Sequence, residues 1–182
     1  DNIDGIEVTC MDVAMPMVIA RASDFGLTGD ETQDALDNNN AFFEQMEKVR
    51  LAAAKKMGMG DCSTSVTPKF GIVAPNDQIN HLTVRYFMPW RTHPTLAVTG
   101  SQCVASCALT PDTVAYPLMT KSESIPAHLV LHHPMGTMDV ITDYSLSDGM
   151  FVHKSAGIIR TARKLAEGKV FISSSIWDGD ST

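Results

Sequence analysis

A run of small residues between Thr95 and Leu109 constrains the fold of this chain more than any other feature. The run reads TLAVTGSQCVASCAL, and it predicts a short helix that begins near Gly100 and ends before Pro111. Small and apolar residues lie on every side of this helix, so it is expected to be buried. The rest of the chain must therefore supply the elements that enclose it.

Most of the remaining chain has apolar patterns of strand length. The expected strands are two within 6–20, divided at Met15–Pro16, then 69–74, 81–88, 113–119, 127–132, 137–142 and 149–153, with turns at Gly136 and Asp148–Gly149. From Asp30 the pattern becomes helical, and Phe42, Met46 and Val49 share one face of this second predicted helix, with Asn38–Asn40 as candidate caps. Residues 156–173 predict a final hairpin about Glu167–Gly168, although 162–168 fits a helical turn equally well. We predict one α+β domain over residues 1–182, with a mainly antiparallel sheet curled around the central helix.

Composition excludes several classes of function. A net charge of -7 argues against a nucleic-acid-binding surface. No apolar run approaches the roughly 18 residues of a membrane span. The four cysteines lack CxxC spacing, which is typical of reduced thiols in a cytoplasmic protein. The chain starts without Met or a targeting segment, and we interpret it as a fragment, a processed product or a split-gene subunit.

Thr99, Gly100, Ser101 and Gln102 stand where a polar turn enters the central helix. Small residues at a helix start let an anion approach N–H groups that have no acceptor inside the helix, and the helix dipole favours negative charge there. A carboxylate is the ligand that this pattern favours. The alternative is an ordinary cap, in which the Thr99 or Ser101 side chain accepts from first-turn amides.

Two residues before this turn are candidates for contacting the same ligand. The guanidinium of Arg91 presents a planar fork that matches a carboxylate. His93 is suited to bind a second carboxylate or to exchange a proton near neutral pH, which makes it a weak candidate for catalysis. A hydrogen-bonded histidine at a strand end is the alternative for His93.

Other residues with reactive side chains are interpreted as structural. His132 and His133 flank a turn and, as neighbours in a strand, point to opposite faces, so no metal site is assigned to them. Cys103 and Cys107 lie four residues apart on the predicted helix, and packing in the core explains them better than chemistry does.

Three segments, THPTLAVTGSQCVASCALTPDTVA, HHPMGTMDV and AGIIRTARKLAEGKVFI, follow one another along the chain. They resemble, in the same order, the TGA-x-C-x-A helix start, the HPSG turn and the RTARxLxxG segment of the PrpF family. That family comprises 2-methylaconitate isomerases and 4-oxalomesaconate tautomerases. The opening segment MDVAMPMVIARASDFGLTG also resembles the family, so the resemblance covers nearly the whole chain.

The resemblance implies a diaminopimelate epimerase-like fold, in which two similar halves each wrap a sheet around a helix and the active site lies between them. This chain is similar to the C-terminal half. The implied reaction is a cofactor-independent isomerisation of unsaturated di- or tricarboxylates, by double-bond migration or cis–trans isomerisation, with 2-methylaconitate, aconitate and 4-oxalomesaconate as examples. The family's acid and base candidates, a Lys and a Cys, are expected in the N-terminal half, which this sequence does not contain.

The same resemblance adds residues to the candidate site. Ser65 and Lys69 are similar to a loop and strand start that face the cleft in this fold, where a lysine would bind substrate as a point charge. A surface lysine beside a polar turn is the alternative. Arg160 and Arg163 lie an odd number of residues apart, so at most one of them faces the cleft if their segment is extended.

Departures from the family leave other functions open. Met135 stands where the family's HPSG turn has Ser, and Val98 or Thr99 stands where an epimerase would have its catalytic thiol. An amino-acid epimerase or racemase is therefore the weaker enzyme alternative, and a non-catalytic carboxylate-binding or interaction module is the third. The expected partners are a small polycarboxylate, the missing N-terminal half and a second copy in a homo-oligomer.

Overall fold

Eight strands form one sheet in which each strand lies beside its neighbours in the sequence. A computed structural model describes residues 1–147, 150–177 and 179. The strands are β1 (Asn2–Ile3), β2 (Ile6–Asp12), β3 (Pro16–Arg21), β4 (Lys69–Pro75), β5 (His81–Phe87), β6 (Ala127–His133), β7 (Gly136–Ser147) and β8 (Met150–Ile158). The helices are α1 (Gln33–Asp37), α2 (Asn40–Lys56) and α3 (Val98–Leu109), with 3₁₀ turns at Ala22–Phe25 and Tyr116–Leu118.

The sheet is mainly antiparallel, as expected. Five neighbouring pairs are antiparallel, whereas β3–β4 and β5–β6 are parallel. A parallel pair needs a crossover, and each of these crossovers carries helices. Residues 22–68 hold α1 and α2, and residues 88–126 hold α3. The helices lie on both faces, because Met17 and Ile19 of β3 pack in the core that contains α3, whereas Val18 and Ala20 pack with α2.

Helix α3 is the enclosed centre of one core. Nine of its twelve residues are buried, a burial that only a helix with apolar residues all round can accept. It contacts β2, β3, β6, β7 and β8, so the sheet curves around it. The predicted α+β fold with a sheet curled about a central helix is confirmed. The helix starts at Val98, two residues before the predicted start near Gly100.

Arg50 on α2 fixes the loop that leads into β4. Its side chain is fully buried. It forms a forked ion pair with Glu47, with both N–O distances 2.7 Å. The remaining guanidinium N–H groups donate to the carbonyls of Cys62 at 3.0 Å and of Ser65 and Pro68 at 3.3 Å. One side chain therefore satisfies three carbonyls of an irregular loop that has no sheet partner of its own.

The region predicted as helical from Asp30 onward forms two helices. Helix α1 ends at Asp37, and α2 begins at Asn40 after its cap Asn39, whose side chain accepts from the amide of Phe42 at 3.1 Å. The expected asparagine cap is confirmed. The break lies where three asparagines follow one another, since asparagine competes with helix hydrogen bonding and favours caps.

The strand expected at 113–119 is wrong. The Thr113 hydroxyl donates to the carbonyls of Cys107 at 2.6 Å and Thr110 at 2.9 Å, and accepts from the amide of Tyr116. These bonds satisfy carbonyls left free at the end of α3 and turn the chain into the 3₁₀ turn that contains Pro117. Local side-chain hydrogen bonds thus override the apolar pattern.

The hairpin expected within 156–173 is also wrong. Strand β8 continues to Ile158, beyond the predicted 149–153, and no helix or strand occurs among residues 159–177. Every residue from 159 to 177 is exposed. Two isolated strands have little stability unless an apolar face packs against something, and here nothing covers these residues. The predicted turn at Asp148–Gly149 lies outside the described residues.

Strands β5 and β6 pair over a short stretch, and two histidines lie next to each other at this junction. They pair over His81 to Thr83, and His81 Nδ1 lies 2.7 Å from His132 Nε2. A hydrogen bond between these two nitrogens has one donor, so the other nitrogen must be an unprotonated acceptor. Burial and the nearby His132 lower the pKa of His81, while Asp139 opposes this shift. Burial and the neighbouring imidazole therefore disfavour the charged form of His81.

In the part of the chain that the structure describes, no helix has the length and apolarity that a membrane span needs.

Replacing Arg50 tests the loop anchor. Arg50→Met is expected to lower the free energy of unfolding by about 3 kcal/mol, because it leaves Glu47 and three carbonyls without their donor. Urea denaturation followed by circular dichroism measures this change. Arg50→Lys keeps the charge but lacks the fork, so it should lose less stability than the Met variant and still fall below wild type. A Met variant within about 0.5 kcal/mol of wild type would contradict the assignment.

Acidification tests the His81–His132 pair. The folded pKa of His81 is below the unfolded value of about 6.5, so the unfolded chain binds more protons as pH falls through 6.5. Stability is then full above pH 6.5 and declines below it. We expect the unfolding free energy, measured in urea at several values of pH between 7.5 and 5.5, to decline less steeply in His81→Gln. An identical slope in wild type and variant would exclude this origin.

Candidate functional site

The start of α3 presents backbone N–H groups without a capping side chain. The residue before the helix, Ala97, is extended and its side chain has no capping atom. The first helical hydrogen bond runs from the Ser101 amide to the Ala97 carbonyl at 2.8 Å, so the amides of Val98, Thr99 and Gly100 have no acceptor within the helix. The arrangement matches the geometry that binds anions at helix N-termini.

The cap alternative does not hold for Ser101. Its hydroxyl donates to the Val98 carbonyl at 2.8 Å instead of accepting from a first-turn amide. The Gln102 side chain donates to the Ala156 carbonyl on β8 at 3.3 Å, which ties α3 to the sheet. Ser101 and Gln102 are thus used inside the fold, and the free amides lie one position earlier than the predicted Thr99–Gln102 set.

The ring of Tyr86 leaves no space for a side chain at Gly100. A Cβ atom added at Gly100 would lie 2.3 Å from Cε2 and 2.9 Å from Cζ of Tyr86, much closer than real contacts. Tyr86 is buried on β5, and its hydroxyl has no hydrogen-bond partner among the described residues. Burial, and then the nearby Cys103, raise the pKa of Tyr86 to about 12. Sequence reasoning missed Tyr86, which resembled an ordinary aromatic residue of a strand.

His93 lies against the same tyrosine. Its amide donates to the Tyr86 carbonyl at 2.8 Å, and its ring meets the Tyr86 ring edge-on at a centroid distance of 5.8 Å. His93 Nδ1 accepts from the Thr95 amide at 3.0 Å, which assigns the proton of the neutral ring to Nε2. Arg91, two residues earlier, is exposed and belongs to a turn in which its carbonyl accepts from the Met88 amide.

Sheet register brings Lys69 to the same end of the molecule. Gly71 of β4 is the partner of Tyr86, and Lys69 lies two residues further on the same face, level with Met17. Lys69 is half-buried, and burial together with nearby Arg50 lowers its pKa. It therefore stands on the face that holds α3, as a cation in a partly desolvated place.

Ser65 supports this region from the loop before β4. Its hydroxyl accepts from the Thr67 amide at 3.1 Å, and its carbonyl accepts from Arg50. Ser65 therefore belongs to the loop that Arg50 holds. Among the described residues it has no hydrogen bond with α3.

A cavity of about 390 Å³ lies beside the loop that precedes α3. His133, Thr95 and Arg160 contribute to its walls, which are completed by Thr137, Met138, Asp139, Ile159 and Thr161. Burial lowers the pKa of His133, opposed by the Thr137 backbone, and the charges of Arg85, His93 and His132 lower it further. Of the two RTAR arginines, only Arg160 lines this cavity.

A larger cavity, about 540 Å³, lies beyond the other end of α3. Its charged walls are Asp1, Glu7, Arg21 and Asp112. The one arginine is already paired with Glu7 at 2.6 Å, so the lining repels a carboxylate. The smaller cavity near His133 is the better candidate for an anionic ligand despite its size.

Residues 1–173 match the family model described as PrpF protein. The chain belongs to the PrpF family. It is 36% identical over 172 residues to the (4E)-oxalomesaconate Delta-isomerase of Novosphingobium sp., a match that covers 94% of this chain and 47% of the relative. It is 34% identical to the 4-oxalomesaconate tautomerase of Pseudomonas putida, with coverage of 98% and 48%. The predicted family membership is confirmed, and the chain spans about half the length of these relatives.

The fold of this PrpF chain also has a solved counterpart. A crystal structure of methylitaconate-delta-isomerase superposes with a TM-score of 0.70 at 24% identity, over 84% of this chain and 45% of that one. The match supports the predicted diaminopimelate epimerase-like architecture. It concerns the fold alone.

Cys103 and Cys107 of this PrpF chain are not arranged as acid–base catalysts. Burial raises the pKa of Cys103 to about 12 and that of Cys107 to about 11, so both stay protonated at neutral pH. The expectation that they pack in the core is confirmed, because both are fully buried. All four cysteines are free thiols. No group of three His, Cys, Asp or Glu side chains in residues 1–147, 150–177 and 179 has a metal-binding arrangement.

Gly100→Ala tests the contact with Tyr86. An alanine in a helix normally gains about 1 kcal/mol over glycine, but here overpacking against a buried ring costs about 1–3 kcal/mol. The net result is expected to lie between no change and a loss of about 2 kcal/mol in the free energy of unfolding. Gly157→Ala is the matched control, since nothing lies within 4 Å of its Cβ position. A Gly100→Ala protein that unfolds at higher urea than wild type would contradict the close contact.

Proposed function

We propose that this chain forms one half of the active unit of a cofactor-independent isomerase. Its substrates would be unsaturated di- or tricarboxylates such as 2-methylaconitate, aconitate or 4-oxalomesaconate, and the reaction would move a double bond by an allylic proton shift. The observation that carries the proposal is the family match over residues 1–173, with relatives named for oxalomesaconate isomerisation. The free amides at the start of α3 are groups with which this chain could bind a carboxylate of such a substrate.

Charge stabilisation is the task that we assign to the start of α3. Removing a proton beside a double bond leaves negative charge that spreads onto a neighbouring carboxylate or carbonyl. N–H groups already oriented toward that charge lower the barrier, because they need no reorganisation during the reaction. The amides of Val98, Thr99 and Gly100 have no acceptor within the helix, and we assign this task to them.

Cationic groups around α3 are assigned to substrate carboxylates. Lys69 lies on the face that carries α3 and would hold one carboxylate as a point charge. Arg91, exposed on the loop before α3, would grip another through its fork. The Nε2–H group of His93 is left to donate a hydrogen bond to the substrate, since Nδ1 accepts from the Thr95 amide.

Ser65, Ser101 and Gln102 are assigned supporting roles. Ser101 and Gln102 fix the start of α3 through the Val98 and Ala156 carbonyls. Ser65 holds the loop before Lys69. In this proposal these three residues hold in place the groups that touch the substrate. They are not assigned direct contacts with the substrate themselves.

The acid and base are proposed to come from a second half. Cys103 and Cys107 are too buried and too strongly protonated to act, and the family resemblance expects a Lys and a Cys elsewhere. The match to about half of each relative supports this division, and the resemblance of the sequence motifs assigns the present chain to the C-terminal half. An epimerase is disfavoured, because Val98 and Thr99 occupy the helix start where a thiol would act.

The remaining partner assignments follow the same reasoning. The net charge of -7 supports a small-molecule substrate over nucleic acid. Four free thiols are consistent with a reducing compartment, and we propose a cytoplasmic location. A homo-oligomer is compatible with this proposal, and sedimentation of the protein tests whether it forms.

The complete gene product is the material that tests the activity. We expect it to migrate the double bond of 4-oxalomesaconate, 2-methylaconitate or aconitate, followed by ultraviolet absorbance and by exchange of substrate protons for deuterium. The isolated 182-residue chain should be nearly inactive. In the complete product, Lys69→Gln should raise KM at least tenfold, equivalent to about 1.4 kcal/mol for a lost charged contact.

Lys154→Gln is the matched control, because Lys154 is an exposed lysine of β8 whose ammonium lies 3.9 Å from Asp143. It should leave kcat and KM unchanged. Absence of proton exchange with all three acids would rule out the proposed reaction. Full activity of the 182-residue chain as a monomer would instead place the acid and base within it, and carboxylate binding without turnover would favour a non-catalytic module.

A further inference from the structure

Arg85 on β5 is a buried cation without an anionic partner. Its side chain is only 5% exposed. Its Nε donates to the Glu31 carbonyl at 2.8 Å and its Nη1 to the Val84 carbonyl at 2.9 Å, whereas Nη2 has no hydrogen bond among the described residues. No carboxylate in the described part of the chain forms an ion pair with it. Both acceptors are neutral, so no contact balances the positive charge.

Arg50, which is also buried, shows the usual arrangement of such a group. It is fully buried, and its guanidinium forms a forked ion pair with Glu47. A charge removed from water is costly unless an opposite charge compensates it, and arginine stays protonated in proteins. Burial lowers the pKa of Arg85, and the charges of Asp30 and Glu31 oppose this effect. Arg85 is therefore a fixed cation that lacks the anion that Arg50 has.

The position of Arg85 follows from a gap in the sheet. The parallel pairing of β5 with β6 ends at Thr83 and His132. Just beyond this point the Val84 carbonyl accepts from the Arg85 side chain in place of a strand amide. Val84 and Tyr86 pack in the core with α3, and since side chains alternate along a strand, Arg85 points to the opposite face of the sheet. The sheet therefore separates Arg85 from the free amides of α3.

A cavity of about 320 Å³ opens at this gap. Its lining includes Arg85, the exposed residues Asp30 and Asp34, and Pro134 and Met135 from the turn between β6 and β7. Volumes of roughly 300–1,000 Å³ are typical of sites for small molecules. The cavity therefore combines a buried cation, an acidic rim and an apolar wall.

The acidic rim disfavours a simple anion as the ligand. The Glu31 carboxylate is already used, because it accepts from the amides of Thr28 at 2.7 Å and Gly29 at 2.9 Å. The carboxylates of Asp30 and Asp34 remain, and they repel a ligand that carries negative charge alone but attract an ammonium group. A ligand that carries a carboxylate and an ammonium group close together satisfies the guanidinium and both aspartates at once.

We propose that this cavity, which we call the Arg85 pocket, binds a free α-amino acid, with its carboxylate on Arg85, its ammonium group beside Asp30 and Asp34, and an apolar side chain against Pro134 and Met135. The guanidinium fork matches a carboxylate in shape. Met135 stands where the family's HPSG turn has serine, so this part of the apolar wall is a departure of this chain from that motif. The inference goes beyond the proposed isomerase reaction and does not depend on it.

Matched ligands test the two charges separately. Isothermal titration calorimetry of the complete gene product measures the Kd of L-valine, of 3-methylbutanoate, which lacks the ammonium group, and of isobutylamine, which lacks the carboxylate. We expect both fragments to bind about tenfold more weakly than L-valine, because each loses its charged contacts. L-valine that binds no more tightly than either fragment, including no binding by any of the three, would overturn the proposal.

Substitutions at the rim test the location and leave the buried arginine in place. Asp30→Asn with Asp34→Asn should weaken L-valine binding about tenfold, since each exposed charge contact contributes about threefold. Asp4→Asn is the matched control, because Asp4 is an exposed carboxylate in the turn between β1 and β2, and it should leave the affinity unchanged. Met135→Ser should weaken binding of L-valine about threefold and leave glycine unaffected. Wild-type affinity for L-valine in the folded double variant would overturn the proposal.

Competition separates the Arg85 pocket from the candidate site at the start of α3. Saturating aconitate should leave L-valine bound, because the two sites lie on opposite faces of the sheet. Displacement of L-valine by aconitate would overturn the proposal and assign the amino acid to the site at α3. None of these measurements depends on turnover, so a negative isomerase assay and a negative result for the Arg85 pocket are distinguishable.

Discussion

The approach of α3 to the sheet depends on the contact between Gly100 and Tyr86. With no side chain at Gly100, the first turn of the helix lies directly on a tyrosine ring. Small residues along the rest of α3 allow the curved sheet to enclose it from β2 to β8. The same tyrosine ring contacts His93, and Lys69 lies two residues from the strand partner of Tyr86 on the face that holds α3. Packing and the candidate chemistry therefore have a common origin, and a larger residue at 100 would disturb both.

Much of the fold could be predicted because its signals are local. The small-residue run identified the central helix, and the spacing of Phe42, Met46 and Val49 identified α2. Apolar patterns of strand length identified most strands of the sheet. The failures have physical causes. Residues 113–119 have an apolar pattern, but the Thr113 hydroxyl ends α3 there. Residues 156–173 have strand composition, but within this unit no sheet edge pairs with them beyond Ile158.

The candidate site was less predictable, because it depends on contacts between distant segments. The helix start and His93 could be identified from one stretch of sequence. Tyr86 could not, since its importance comes from a glycine fourteen positions later. Arg50 could not either, because its role is to bind three carbonyls of a loop far along the chain. A single sequence contains no pattern for either relationship.

The order of the strands has a consequence for how this unit folds. Each described strand pairs with the strand before it, so most of the sheet can grow by successive addition of hairpins. Proteins dominated by such near-neighbour contacts fold faster than those with distant pairings. The two parallel pairings are different, because 22–68 and 88–126 must close as long loops first. Loop-closure entropy grows only slowly with length, and α2 and α3 shorten these connections as they form. The two parallel pairings are therefore expected to form after the antiparallel hairpins.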